Sequence, residues 1–445
     1  MIKNQFIICV LILLLLYPTA VTAQSPNIPG DVAYILIDSK TGQVISEQNA
    51  DQKLRPASTS KIMTAIVALE NGKLDQIMKV SQQAVFDIGR GGMNVGIMAG
   101  EEGLSLENML NILLIKSANE TANIIAENVA PSRREYMELM NKKAFEIGAV
   151  NSTFINPSGK DTAKEDADHL STPRDMAVIA RYAMTIPAFR EIVATEYYKD
   201  MPITNKHDDW GILRNSNQFL WYDNKYPYTF EETERKYTVI GIKTGYTFVA
   251  GNNLVTAAVG EDGMELISVV MRVMQPNKIY GYSKELLRYG FERFSMHKLS
   301  EAGQLVTTVP VDGAKEKNAA LELVTETGFS SALSIEMSKL NVETKVNIAQ
   351  PVMAPVQKGD VLGDVEYSSN GILLGKVNIA AAKSIEKAPA SISENIQLDH
   401  ALGSSFSYAI YGILLILSGF VILRMILRIV SRRLKKRKYN HKYLD

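Results

Sequence analysis

The spacing of apolar residues predicts a hairpin, then a helical region, then a return to strands. Apolar and polar residues alternate around a Lys-Thr-Gly turn in VAYILIDSKTGQVISEQN, residues 32–49, as in two antiparallel strands. Helical periodicity follows at 57–71, 105–115, 119–129, 132–147 and 172–184. Strand patterns return in YTVIGIKTGY, NNLVTAAV and MELISVVMRV, and a helical pattern in YSKELLRYGFERF closes the region near residue 294. Helices between the strands of one antiparallel sheet predict an α+β domain.

A different pattern begins at about residue 299, where short apolar runs are separated by Gly, Pro and Asn. The runs are GQLVTTVPVDG, AALELVTE, TKVNIAQP, GDVLGDVEYS and GILLGKVNIA. Short strands at this regular spacing predict a small β-sandwich. We therefore divide the chain into a first domain over 24–298, a β-sandwich over 299–387 and a linker over 388–404.

Both ends of the chain carry apolar segments. At the start, Lys3 precedes an apolar run over 6–17, and Val21-Thr22-Ala23 fits the small-residue site of a signal peptidase. We predict a cleaved signal peptide over 1–23. An uncleaved anchor is the alternative, but the run is short for a membrane span. Near the other end, residues 401–423 carry no charge over 23 positions and are long enough to cross a bilayer.

Charge predicts the orientation of that second segment. Nine Lys and Arg residues follow from Arg424 onward, and such residues stay on the cytoplasmic side of a membrane. We expect a transmembrane helix over 405–427 and a basic cytoplasmic tail over 428–445, with the folded domains on the extracytoplasmic face of the cell membrane. The body between the two ends has more acidic than basic residues, which argues against nucleic acid as a partner.

The sequence lacks the residues that several kinds of catalytic and binding site require. Cys9 is the only cysteine and lies in the predicted signal, so the mature chain has no disulfide, thiolate nucleophile or cysteine metal site. The five histidines, at 169, 207, 297, 400 and 441, form no His-Glu-x-x-His pattern, which argues against a zinc peptidase. The chain has no Gly-x-Ser-x-Gly elbow, P-loop or dinucleotide fingerprint. We expect no metal and no cofactor.

A serine and a lysine interrupt the apolar pattern of the first predicted helix, in RPASTSKIMTAIVALENG. Ser58 and Lys61 are three residues apart, so on a helix their side chains share a face. Pro56 suits a helix start and would put Ser58 in the first turn. A lysine withdrawn from water loses its proton more readily and can act as a base. The pair alone is not diagnostic, because Ser-x-x-Lys occurs by chance in many helices.

Two further polar motifs follow in order along the chain. Ser117-Ala118-Asn119 interrupts the helical pattern of LLIKSANETANII, and Lys243-Thr244-Gly245 ends a strongly β-forming run. Each has an ordinary explanation, as a helix cap or as a strand ending in a turn. Lys40-Thr41-Gly42 is such a turn. What chance does not explain is the occurrence of all three motifs in this order, each in a suitable secondary structure.

With these motifs the chain resembles the penicillin-recognising serine enzymes. More narrowly, it resembles the D-alanyl-D-alanine carboxypeptidases, which are low-molecular-mass penicillin-binding proteins. The resemblance covers residues 33–388 and includes NPSG at 156–159, HLSTPRDMA at 169–177, NSNQFLW at 215–221 and APVQKGDVLG at 354–363. It implies a β-lactamase/transpeptidase-like domain followed by the small β-sandwich.

The resemblance also implies roles for individual residues. Ser58 would be acylated by the penultimate D-alanine carbonyl of a peptidoglycan stem peptide, and Lys61 would take its proton. Ser117, Asn119 and Lys243 would relay protons and hold the substrate amide. The backbone N–H groups of Ser58 and Tyr246 would bind the oxyanion. Thr244 would bind the substrate carboxylate, on a strand that pairs with the substrate backbone, and Gly245 would allow another backbone to approach closely.

The chain departs from the family pattern at a few positions. Ala118 replaces a glycine, Lys116 stands where proline is frequent, and Tyr246 stands where histidine is common. The family often has another basic residue for the substrate carboxylate, and here Arg272 and Lys278 are the candidates.

We therefore predict a membrane-anchored serine carboxypeptidase with β-lactams as inhibitors. One alternative is a serine β-lactamase of the same fold, but no Glu-x-x-Leu-Asn stretch lies between the second and third motifs to activate a deacylating water. The other is a membrane-bound β-lactam sensor, but the tail beyond the helix holds fewer than twenty residues, too few for a signalling domain.

Overall fold

The computed structural model describes residues 25–89, 91–161, 168–221, 228–229, 236–335, 342–349, 351–369, 371–389 and 410–432. The predicted signal peptide, most of the linker over 388–404 and the tail beyond residue 432 lie outside these ranges. The chain forms two compact units. One contains 1–304, 327–347 and 364–377, and the other contains 305–326, 348–363 and 378–445.

A six-stranded antiparallel sheet is the centre of the first unit, with strand order β2-β1-β8-β7-β6-β5. The strands are β1 (Ala33–Asp38), β2 (Val44–Gln48), β5 (Tyr228–Thr229), β6 (Lys236–Thr247), β7 (Gly251–Gly260) and β8 (Glu265–Val273). A two-stranded sheet pairs β3 (Tyr197–Tyr198) with β4 (Leu213–Arg214).

Both faces of the central strands are buried, because alternate residues enter different apolar clusters. Ile35 belongs to the cluster that contains Ile62 and Leu113 of the helical region. Its neighbour Leu36 belongs to the cluster that contains Leu286 and Phe291. The sheet is therefore covered by helices on each face, and the predicted α+β class is confirmed.

The first unit contains two helices that the sequence analysis did not predict, Gln82–Phe86 and Pro187–Ala194, and its other helices overlap the predicted stretches. They are α1 (Lys61–Asn71), α2 (Gln82–Phe86), α3 (Leu106–Asn111), α4 (Asn119–Val129), α5 (Arg133–Glu146), α6 (Pro173–Met184), α7 (Pro187–Ala194) and α8 (Ile279–Arg293). Helix α4 matches the predicted 119–129. Capping explains the start of α6, because the Thr172 side chain accepts from the Asp175 N–H and Pro173 follows it.

Two predicted helices are interrupted beside the polar motifs. The pattern over 57–71 forms a 3₁₀ helix (Ala57–Ser60) and then α1. The pattern over 105–115 forms α3 and then a π-helix (Ile112–Lys116). The apolar spacing is helical throughout both stretches, and it carries no signal for the change of turn width.

The remaining strands follow helix α8. Strand β9 (Phe294–Ser300) pairs with β12 (Phe329–Ser334), which the sequence analysis did not predict. A five-stranded sheet has the order β10-β11-β15-β14-β13. Its strands are β10 (Leu305–Pro310), β11 (Ala320–Thr325), β13 (Val342–Ile348), β14 (Val361–Ser369) and β15 (Ile372–Ala381).

The last described element is helix α9 (Ile410–Arg432), which is long and apolar enough to cross a membrane, with a mean hydropathy of 2.5. None of its most apolar stretch is buried against protein. Such a surface is suited to lipid.

Candidate active site

Ser58 lies in the 3₁₀ helix, directly after a residue with a strained backbone conformation. Ala57 has φ 50°, a left-handed conformation that is unfavourable for alanine. Gly159 packs directly against this residue, because a Cβ at Gly159 would lie 1.8 Å from the Ala57 carbonyl oxygen. The backbone of NPSG therefore fixes the turn that presents Ser58.

Lys61 lies at the start of α1 with its side chain fully buried. Its Nζ donates to Asn119 Oδ1 at 2.7 Å and to the Ser158 carbonyl at 2.7 Å. The same Nζ lies 3.0 Å from Ser58 Oγ. Helical spacing brings serine and lysine together, as the Ser-x-x-Lys pattern predicts.

Burial lowers the pKa of Lys61 well below its ordinary value. Repulsion from Lys243 lowers this pKa further, whereas the buried carboxylate of Glu120 opposes the shift. Burial in turn raises the pKa of Glu120. A neutral amine within hydrogen-bond distance of a hydroxyl can take its proton.

Ser117 and Asn119 lie where the π-helix ends and α4 begins. Ser117 has φ 62°, in the left-handed region, so this single residue ends the π-helix and changes the direction of the chain. The Asn119 N–H donates to the Met93 carbonyl at 2.8 Å, and its side chain reaches Lys61. Wide π-turns occur frequently at functional sites, and this one turns Ser117 into the cleft.

Lys243, Thr244, Gly245 and Tyr246 lie near the end of β6. Burial lowers the pKa of Lys243 to about 7, and its Nζ donates to the Thr244 carbonyl at 3.1 Å. The Thr244 hydroxyl lies 3.0 Å from that of Ser216. The strand runs close to the 3₁₀ helix at Gly245, where a Cβ would lie 3.0 Å from the Pro56 carbonyl oxygen.

A cleft of about 670 Å³ joins these elements. Six of the eight predicted site residues line it: Ser58, Ser117, Asn119, Thr244, Gly245 and Tyr246. Lys61 and Lys243 are not among its lining residues, since both are buried. Of the two further basic candidates, Arg272 lines a separate cavity of about 840 Å³ with acidic neighbours. Lys278 does not line the cleft.

The cleft also contains residues that the sequence analysis did not assign. Ser216, Asp161 and Tyr280 line it, and Ser158 holds Lys61 through its carbonyl. Ser158 and Ser216 lie in NPSG and NSNQFLW, so the resemblance pointed to those stretches without giving the residues a role.

His169 is held in the core beneath this site. Its Nε2 lies 2.8 Å from Ser60 Oγ, and its Nδ1 accepts from the Ile155 N–H at 3.2 Å. Its ring meets Phe154 edge-on. These contacts give His169 a structural position rather than one in the cleft.

Comparison with known proteins identifies this arrangement. Residues 19–275 match the family model of peptidase family S11, described as D-alanyl-D-alanine carboxypeptidase. Residues 294–387 match the model for the C-terminal domain of penicillin-binding protein 5. The chain belongs to peptidase family S11.

The sequences of named relatives align with this S11 carboxypeptidase over most of its length. The D-alanyl-D-alanine carboxypeptidase DacF of Bacillus subtilis is 29% identical, over 85% of this chain and 93% of the relative. DacC of Escherichia coli, also a D-alanyl-D-alanine carboxypeptidase, is 30% identical over 86% of this chain and 90% of the relative. The predicted family and enzyme class are therefore confirmed: the protein is a serine-type D-alanyl-D-alanine carboxypeptidase.

Solved structures confirm the predicted fold. Penicillin-binding protein 5 of Haemophilus influenzae superposes with a TM-score of 0.64 at 25% identity, covering 81% of this chain and 99% of that chain. A peptidoglycan synthesis regulatory factor (PBP3) of Streptococcus pneumoniae gives a TM-score of 0.66 at 23% identity, covering 80% of this chain and 98% of that chain.

Proposed function

We propose that this S11 carboxypeptidase removes the terminal D-alanine of peptidoglycan stem peptides through an acyl-enzyme on Ser58. The observation that carries the proposal is the contact between Lys61 Nζ and Ser58 Oγ at 3.0 Å. Burial lowers the pKa of Lys61 well below its ordinary value, which favours the neutral amine that can take the proton of Ser58.

In the acylation step, Ser58 Oγ attacks the penultimate D-alanine carbonyl while Lys61 accepts the hydroxyl proton. The oxyanion is stabilised by the N–H groups of Ser58 and Tyr246. The C–N bond then breaks, and the departing amine of D-alanine takes a proton relayed through Ser117. Asn119 holds Lys61 in place and, with Lys243, takes part in the proton relay and in holding the substrate amide. Water then hydrolyses the ester and restores Ser58.

Substrate binding is supported by the open part of strand β6. In the part of the chain that the structure describes, β5 pairs with β6 only at Lys236 and Tyr237. The edge at Lys243–Tyr246 is therefore available for an extended peptide to pair with its backbone. The hydroxyls of Thr244 and Ser216, 3.0 Å apart, lie where they can donate to the terminal carboxylate.

β-Lactams would acylate the same serine and act as inhibitors. The sequence has no Glu-x-x-Leu-Asn stretch between its second and third motifs, so no carboxylate dedicated to deacylation is assigned. A penicilloyl-enzyme would persist far longer than the acyl-enzyme formed from peptide, in contrast to a β-lactamase.

The decisive test replaces the nucleophile. Ser58→Ala in the full chain should abolish both D-alanine release from a pentapeptide stem and covalent labelling by penicillin, while the variant keeps the melting temperature of the wild type. Mass spectrometry of the labelled wild-type enzyme should place the adduct on the peptide containing Ser58. Stoichiometric labelling of Ser58→Ala would reject the assignment.

We further propose that helix α9 anchors the enzyme in the cell membrane as a single span. Its apolar side chains are exposed to the surroundings over the whole helix, and Lys and Arg residues follow it. On the positive-inside rule the tail lies in the cytoplasm and the catalytic unit on the extracytoplasmic face.

A further inference from the structure

One carboxylate joins the two elements that carry the proposed oxyanion donors. Asp161 Oδ1 accepts from Arg55 Nη1 at 2.5 Å, and Asp161 Oδ2 accepts from Thr247 Oγ1 at 2.5 Å. Arg55 lies three residues before Ser58, and Thr247 directly follows Tyr246. Both oxygens of Asp161 are thus used, one for each side of the cleft.

The backbone around this carboxylate is fixed by further contacts. Asn253 Nδ2 donates to the Arg55 carbonyl at 2.9 Å, and Asn253 lies opposite Gly245 in the pairing of β6 with β7. The Thr247 hydroxyl also accepts from the Ala250 N–H at 3.0 Å, which fixes the turn that leaves β6. Movement of Asp161 would therefore shift both the end of strand β6, through Thr247, and the turn of Ser58, through Arg55.

On this side of the cleft, the segment before the 3₁₀ helix is held to β7 by the contact of Asn253 with Arg55 and to β6 by the bridge through Asp161. At Gly245 the backbones of β6 and of this segment are in close contact, since a Cβ added to Gly245 would lie 3.0 Å from the Pro56 carbonyl oxygen. Packing of this kind prevents closer approach and does not prevent separation. The bridge through Asp161 acts in the opposite sense, since its two hydrogen bonds resist separation.

We propose that Asp161 is a positioning residue that sets the distance between the N–H groups of Ser58 and Tyr246. The inference rests on the proposed acyl-enzyme at Ser58. The Arg55 and Asp161 side chains are 21% and 22% exposed, so the pair is partly buried and the bridge also contributes to folding stability. Catalysis is more demanding, because a misplacement of about 1 Å in a reacting geometry can cost roughly 100-fold in rate.

The test compares turnover with binding of a transition-state analogue. Asp161→Ala removes both arms of the bridge, Thr247→Val removes one arm, and Thr247→Ser keeps it. Asp51→Asn is the matched control, because Asp51 pairs with Arg174 at 2.7 Å in an exposed ion pair outside the cleft. For each variant, kcat and KM on a pentapeptide are measured with the Ki of a peptide boronic acid, whose tetrahedral adduct places an oxygen between the two N–H groups.

We expect Asp161→Ala to lose roughly 10–100-fold in kcat with KM changed less than threefold. Boronate affinity should fall by the same factor, since it measures the same oxyanion contact. Thr247→Val should show a smaller loss in both, whereas Thr247→Ser and Asp51→Asn should match the wild type. If Asp161→Ala does not fold, Thr247→Val carries the same comparison.

Two results would overturn the inference. One is an unchanged kcat in folded Asp161→Ala, or in Thr247→Val if Asp161→Ala does not fold. The other is a lost kcat with unchanged boronate affinity. Failure of the proposed function is a separate observation: the boronate or penicillin adduct of the wild-type enzyme would then be found on a residue other than Ser58.

Discussion

Two lysines with fully buried side chains share one active site, and the charge of one makes the other less basic. Lys61 and Lys243 are 0% and 1% exposed, and the charge of Lys243 contributes to the lowered pKa of Lys61. Uncompensated burial of an ammonium group costs free energy of folding. Burial of the two lysines therefore makes the fold less stable, and it lowers the pKa of the amine proposed to act as a base.

This cost predicts how Lys243→Met changes stability with pH. The pKa of Lys243 is about 7 in the folded enzyme, against 10.5 ordinarily. Between these values the unfolded chain binds more protons than the folded enzyme, so wild-type stability rises with pH through this window and falls as the pH approaches 7. Methionine lacks this dependence.

Lys243→Met should therefore exceed the wild type in free energy of unfolding by about a few kcal/mol near pH 6. The difference should shrink near pH 9.5, while D-alanine release is lost. Urea unfolding of both proteins at the two pH values measures it. A difference that is the same at both pH values would show that Lys243 does not titrate as described.

At the scale of elements, the sequence predicted position better than local geometry. Strands β6, β7 and β8 and helix α4 follow from apolar periodicity, because each buries a face that repeats at the period of its own structure. The 3₁₀ turn at Ser58 and the π-turn before Ser117 could not be predicted this way. They depend on contacts from distant segments, such as Gly159 against Ala57.

The same distinction applies to the candidate site. The three motifs predicted the residues that the structure brings around the cleft, since each motif is local in sequence. Asp161 was not predicted, because its partners Arg55 and Thr247 lie 106 and 86 residues away. A single polar residue in a loop carries no pattern that would reveal such a bridge.

The contact of Gly159 with the nucleophile turn gives a prediction with a built-in control. Gly159→Ala places a Cβ 1.8 Å from the Ala57 carbonyl oxygen, whereas Gly148 has nothing within 4 Å of an added Cβ. Both glycines have positive φ, 73° and 91°, so both variants carry backbone strain of about 1 kcal/mol or more.

Only Gly159→Ala must also shift the turn that holds Ser58. We expect its rate of penicillin acylation to fall roughly 100-fold, while Gly148→Ala acylates at the wild-type rate with a slightly lower melting temperature. Both acylation rates are measured by labelling with a fluorescent penicillin and quenching the reaction at a series of times. Equal rates in the two variants would mean that NPSG does not position the nucleophile.

At the scale of the whole molecule, the absence of cysteine after residue 9 makes the membrane orientation measurable. Ser404→Cys and Asn440→Cys place single thiols on either side of the predicted span. In intact cells, a membrane-impermeant maleimide should label Ser404→Cys and leave Asn440→Cys unlabelled until the membrane is opened. The wild-type chain is the background control. Labelling of Asn440→Cys in intact cells would reverse the proposed orientation.

The wide turn at Ile112–Lys116 makes activity depend on the number of residues as well as on their identity. An α-helix advances about 100° per residue, and a π-turn holds one residue more than an α-turn. Loss of one residue from this stretch would let the helix continue regularly and would rotate Ser117 out of the cleft. A chain with this deletion would keep all three catalytic motifs in its sequence. We expect it to fold but to be inactive, because the register of the helix has changed although no catalytic side chain has been replaced.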